Sequence, residues 1–234
     1  MHDVKSDFNK RKSEIEEYMS FINLVTGDMK NSKFKYSSIS DNSEKESSVS
    51  DQLQKVLIAN GFLLLYNLIE ATMRNSLSEI FDQIVNDGVY YGNLSENFKK
   101  IWLSQSTSNL RKRFKSETLT ATVKEIAESV LDNDVIALDK DKLDFSGNLD
   151  ARKIRDLATK YGFNQSAMNA ENLLTIKNKR NYLAHGDYSF SDIGKDFSSG
   201  DIINFKDETI AFLEDVIIQI EAFINDKKYM IEVS

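Results

Sequence analysis

Phe62-Leu63-Leu64-Leu65-Tyr66-Asn67-Leu68-Ile69 lies inside a stretch from Asp51 to Asp87 with no proline. Beyond it Met73, Leu77, Ile80 and Ile84 recur every three or four residues, the repeat of one face of an α-helix. In the first half the apolar residues run almost all the way round, so this helix is to be covered on more than one side. Ser50 before it supplies an N-cap oxygen, and Gly88 after it supplies a stop. One long central helix wrapped by others makes the chain an all-α bundle.

The same spacing extends outward from this centre. Val4, Phe8, Ile15, Tyr18, Ile22 and Val25 form a stripe on a helix from about Val4 to Val25, with Asp3 as its cap and Gly27 as its end. Residues 28 to 50 turn serine-rich and aperiodic and read as a flexible loop. Shorter helices are predicted near 95–104, 107–115, 118–131 and 150–161. An irregular charged stretch at 132–149 has room for one short strand. A further helix begins after Asn169 and ends near Gly186, residues 187–205 read as a second loop, and a final helix follows from about Asp207 to Tyr229. The organisation is one globular unit: an N-terminal helix (1–27), the loop (28–50) and a helical domain (51–234).

Composition excludes several function classes. The chain has 234 residues, no cysteine and two histidines. Disulfides, thiol catalysis and thiolate zinc sites are therefore ruled out. The acidic run Asp132, Asp134, Asp139, Asp141 and Asp144 lacks the glycine and terminal glutamate of an EF-hand loop. No phosphate-loop, dinucleotide or serine-hydrolase motif is present. No metal and no cofactor are expected. The apolar run at Phe62–Tyr66 is far shorter than the roughly 20 residues that span a bilayer, so no membrane partner and a cytoplasmic location are expected. A net charge of −7 and a pI near 5.0 oppose general duplex binding, for which a pI above about 9 is usual. An RNA partner would have to be gripped locally, as a tRNA or other single-stranded loop would be.

The chemistry concentrates in Arg180-Asn181-Tyr182-Leu183-Ala184-His185-Gly186. Imidazole, with an ordinary pKa of about 6.5, moves protons at neutral pH. A guanidinium holds a phosphate bidentately. On an ideal helix five residues rotate His185 about 140° from Arg180. The two meet one phosphate only if the helix ends or distorts at Gly186, or if they come from different protomers. A plainer reading makes His185 a helix-terminal residue favoured by the dipole and Arg180 a surface charge.

This block, with the helix at Phe62–Ala71 and the segment Gly147–Arg155, resembles the HEPN superfamily, in the branch found in toxin–antitoxin and phage-defence loci. The resemblance covers about residues 50 to 225. It implies a HEPN-like helical bundle that dimerises, places two arginine–histidine motifs at a shared cleft, and cleaves RNA without metal to leave a 2′,3′-cyclic phosphate. Arg180 and His185 match the family's catalytic pair and Asn181 the polar position beside the arginine. Glu70, on an early helix, matches a supporting acidic position, although a Glu70–Arg74 pair on a solvated edge explains it equally. Lys177, Lys179, Arg111 and Arg113 are candidate RNA contacts. Arg111 and Arg113 belong to a basic cluster that also includes Lys99, Lys100, Lys112 and Lys115, and whose aromatics Trp102 and Phe114 have a plainer reading as core. Tyr188 lies three residues after His185, whereas family toxins modified on tyrosine carry it two residues after. The function implied is a toxin or antiviral endoribonuclease controlled by an antitoxin or defence partner. The alternative is a catalytically silent HEPN-like bundle that binds nucleotide or RNA or docks a neighbouring protein.

Overall fold

The computed structural model describes residues 1–26, 33–37, 44–108, 116–143, 145 and 148–231, with backbone only at 33–37 and 44–48. The described α-helices are α1 (His2–Thr26), α2 (Asp51–Asn86), α3 (Glu96–Ser106), α4 (Ser116–Leu131), α5 (Ala151–Tyr161), α6 (Asn172–His185), α7 (Phe190–Gly194) and α8 (Ser199–Asn225). Ser50 caps α2 by accepting from the Leu53 N–H at 3.2 Å. Fifteen α2 residues are buried, from Ile58 to Ile84. They lie under α1, α6, α7 and α8, which all pack on this helix. By length and composition α2 could cross a bilayer, but 56% of its most apolar window is buried within the fold, as in the core helix of a bundle.

Two closures tie the ends of the chain to α2. The Met1 ammonium pairs with Glu79, and the Tyr229 hydroxyl donates to Asp87. The hydrogen bonds from Tyr229 and Lys227 hold the Asp87 carboxyl below its ordinary range. α1 is further pinned to α8 by Lys12–Glu214 at 2.8 Å and Lys5–Glu221 at 2.6 Å. Tyr18 donates to the Leu57 carbonyl at 2.8 Å, and burial pushes its phenol up to about 12.

Several expectations need correction. α1 begins at His2, so Asp3 sits in its first turn and not at the cap. Met19 takes the buried place foreseen for Tyr18, which is only partly buried. Within the 28–50 segment, read as an aperiodic loop, β1 (Lys33–Ser37) pairs antiparallel with β2 (Glu44–Ser48). The short strand foreseen in 132–149 is a single bridge, Val135 to Tyr90. The predicted helix at 107–115 is a turn at Thr107 and Ser108, and the rest of it lies outside the described residues.

The largest difference is at 187–205, read as a loop because of its glycines and serines. It holds α7 and the start of α8. Two Ser-x-x-Asp capping boxes explain this: Ser189 and Ser198 accept from the N–H groups of Asp192 and Asp201 at 3.2 and 3.1 Å, and each aspartate accepts in return. Gly194 does not act as a breaker here. A Cβ at Gly194 would stand 1.9 Å from the Lys55 carbonyl oxygen, so its lack of a side chain is what lets α7 lie against α2. The final helix consequently starts earlier and stops at Asn225, where a turn carries Tyr229 back to α2.

Candidate active site

α6 carries the arginine–histidine block, and only two of its residues, Leu173 and Ile176, are fully buried. From Lys177 onward the helix is held by polar and ring contacts with α2 and with the segment ahead of α5. Lys177 donates to Asp150 at 2.5 Å in a mostly buried pair. Burial works against the Asp150 carboxylate, but the hydrogen bonds from Lys177 and the Lys153 N–H outweigh it and keep the carboxyl below its ordinary range. One turn further, Asn181 donates to the Asn148 side chain at 3.1 Å.

Arg180 turns inward. Its guanidinium carbon lies 4.5 Å from the centre of the Tyr66 ring, where the cation meets the negative face of the π system. One guanidinium nitrogen donates to Asn181 at 3.1 Å, and another stands 4.0 Å from Glu70. Glu70 also accepts from Arg74 at 3.2 Å, so the simple i,i+4 pair and the approach to the motif arginine are both present. Tyr66 is itself fixed, since its hydroxyl accepts from the buried Leu149 N–H at 3.1 Å. Burial raises the Tyr66 phenol above its ordinary value, against the opposing Leu149 hydrogen bond.

His185 is the last residue of α6. It is exposed, and among the described residues its side chain has no hydrogen-bond or ion-pair partner. Backbone alone positions it. Gly186 takes φ 74°, its N–H donates to the Leu183 carbonyl at 3.3 Å, and the Asp187 N–H donates to the Tyr182 carbonyl at 3.0 Å. This is a Schellman closure, which favours glycine because an L side chain is strained at that φ. α6 is assigned as α-helix through His185. At regular pitch, His185 stands about 7.5 Å further along the axis than Arg180 and about 140° around it.

The remaining candidates disperse. Lys179 lies 5.2 Å from the centre of the Phe197 ring, on a side of α6 away from Lys177. Arg111 and Arg113 lie outside the described residues. In the described half of that cluster, Trp102 is buried against Tyr91 at 5.3 Å and Lys99 pairs with Glu96 at 2.9 Å. Tyr188 packs edge-on against Tyr182 at 5.1 Å, with both rings more than a third exposed. Asn67, one turn before Glu70 on α2, accepts from Arg11 of α1 at 2.6 Å.

The contacts that position the motif and were not singled out are Tyr66, Asn148 and Asp150. Tyr66 had a signal in its four-residue spacing from Glu70, which puts both on one face of α2. The loop partners Asn148 and Asp150 lie in the Gly147–Arg155 segment that shares the family resemblance, but no spacing rule brings them beside α6.

A family model for HEPN proteins of the MAE_28990-like type matches residues 2–229. No curated protein and no solved structure matches significantly. Proteins of the HEPN superfamily are commonly ribonucleases or RNA-binding modules, and they often dimerise. With a helical bundle and a match over nearly its whole length, the chain belongs to the MAE_28990-like HEPN family.

Proposed function

We propose that the chain is a metal-independent endoribonuclease that works as a homodimer, in the cytoplasm, as a toxin or antiviral effector restrained by an antitoxin or defence partner. The observation that carries this reading is the geometry of α6: Arg180 faces inward beside Glu70, while His185 ends the helix exposed and, among the described residues, without a side-chain partner. In one chain the motif therefore offers one histidine, set well apart from its phosphate-binding group. RNA transesterification needs two proton transfers, each worth roughly 10²- to 10⁴-fold.

A twofold pair supplies the second histidine and a second arginine around one linkage. One imidazole takes the proton of a 2′-hydroxyl, whose oxygen then attacks phosphorus. The P–O5′ bond breaks, and the other imidazolium gives its proton to the departing 5′-oxygen. The products are a 2′,3′-cyclic phosphate and a 5′-hydroxyl. Arg180 holds the phosphate as charge grows on its oxygens. Glu70 and Asn181 keep the guanidinium in place through the contacts they already make.

The test is incubation of the purified protein with total tRNA in chelator, followed by mapping of product ends. Cyclic-phosphate ends formed in chelator support the reading, and strict dependence on an added metal overturns it. A second reading has one observation in its favour: the inward Arg180 has donors already directed to Asn181 and Glu70, as in a silent RNA-binding or docking module. Host growth separates the two, because only the nuclease is toxic on expression and only its toxicity requires His185.

A further inference from the structure

Among the described residues one face of α6 is largely uncovered, with Asn181 alone on it meeting a neighbouring segment, at Asn148. At about 100° per residue, Leu174, Asn178, Asn181 and His185 fall within some 60° of one another. Leu174, Asn178 and His185 are exposed, and Leu174, a large apolar residue, is 49% exposed. At the Leu174 end this stripe opens into a cleft of about 560 Å³ between the start of α5 and the first half of α6, a size usual for small-ligand sites. Leu174, Ala151 and Ala170 line it, with Arg152 and Glu171 beside them. Among the described residues the side chains of Arg152 and Glu171 make no hydrogen bond or ion pair. By contrast, Arg155 on the same helix is committed to the Ser166 and Met168 carbonyls at 3.2 and 2.7 Å.

The cleft adjoins the candidate active site. Its wall is the Lys177–Asp150 pair, one turn before Arg180. Leu174 lies about 9 Å along the helix axis from Arg180 and about 120° around it, so a strand held at Arg180 reaches the cleft by bending around α6. An apolar floor beside an uncommitted guanidinium suits a base that has left its stack, with the phosphate attached to it. A paired base could not present its face there. A net charge of −7 likewise opposes binding of long duplex.

We propose that this cleft seats an unpaired nucleobase of single-stranded RNA next to the linkage held by Arg180. Leu174 packs on the base, Arg152 grips its phosphate, and Glu171 accepts from an amino edge. The inference rests on the ribonuclease reading and adds to it a requirement for an unpaired flanking nucleotide.

Binding can be read without cleavage in the His185→Ala protein, by fluorescence anisotropy with a labelled single-stranded RNA of about ten nucleotides and a hairpin duplex as control. Arg152→Ala and Leu174→Ser are both at exposed positions and should leave the fold intact. Each is expected to weaken single-strand binding about tenfold, the size of one charge-assisted contact or one packed base, with duplex binding unchanged. Parental affinity in both variants overturns the cleft assignment, and cleavage by the unsubstituted protein would then still stand as a separate result. A change in sedimenting mass in place of RNA affinity also overturns it, by making the cleft a protein interface. Absence of single-strand binding in the parent overturns it as well, and failure of the tRNA cleavage assay would then remove the ribonuclease reading too.

Discussion

The central helix and the motif helix are held in opposite ways. α2 buries fifteen residues and is packed on by α1, α6, α7 and α8. α6 buries two, Leu173 and Ile176, and from Lys177 onward it is positioned by an ion pair, an amide contact, a guanidinium on a ring and a glycine turn. Burial stabilises in proportion to apolar area removed from water, and single polar contacts contribute about 1 kcal/mol. The groups proposed for chemistry thus sit where their removal costs little stability, while the helix beneath them carries the fold.

Substitutions should respect that division. Phe62→Ala removes a fully buried ring that packs edge-on against Phe197 at 4.9 Å, and should cost about 3–5 kcal/mol in urea unfolding. Lys177→Met strands a mostly buried carboxylate and should cost about 2 kcal/mol at neutral pH. Because the folded Asp150 carboxyl lies below its unfolded value of about 3.9, the pair's contribution is full above that value and is lost as pH falls through the lower folded one. The gap in urea midpoint between the unsubstituted and Lys177→Met proteins should therefore close in acid. A gap that stayed constant down to full protonation would mean that the pair is not what stabilises the contact.

Gly186→Ala meets no neighbouring atom within 4 Å, so its cost is backbone strain alone, about 1–2 kcal/mol. It should lower the melting temperature modestly and misplace His185, giving a loss of cleavage out of proportion to the loss of stability. Lys12→Ala breaks a partly exposed link between α1 and α8 and should cost under about 1 kcal/mol. An effect as large as that of Phe62→Ala would place real stability in surface charge and erase the contrast.

The legibility of the sequence follows the same line. α2 could be read to within a residue, since its cap at Ser50, its periodicity and its stop at Gly88 are all local signals. Gly186 was legible as the end of the motif helix for the same reason. The region 187–205 was misread because serine and glycine were taken as loop formers, although Ser189–Asp192 and Ser198–Asp201 are capping pairs at the spacing that starts helices. The inward turn of Arg180 was not legible. It depends on Tyr66 and Glu70 meeting α6 across the bundle, and on Leu149 anchoring the Tyr66 hydroxyl, contacts that join residues far apart in the chain.

The most direct test of the proposed chemistry is RNA cleavage by Arg180→Ala and His185→Ala proteins whose melting temperature and subunit mass match the parent. Each is expected to lose at least about a hundredfold in rate with the fold unchanged. Undiminished cleavage in both would contradict the assignment of the reaction to these two side chains.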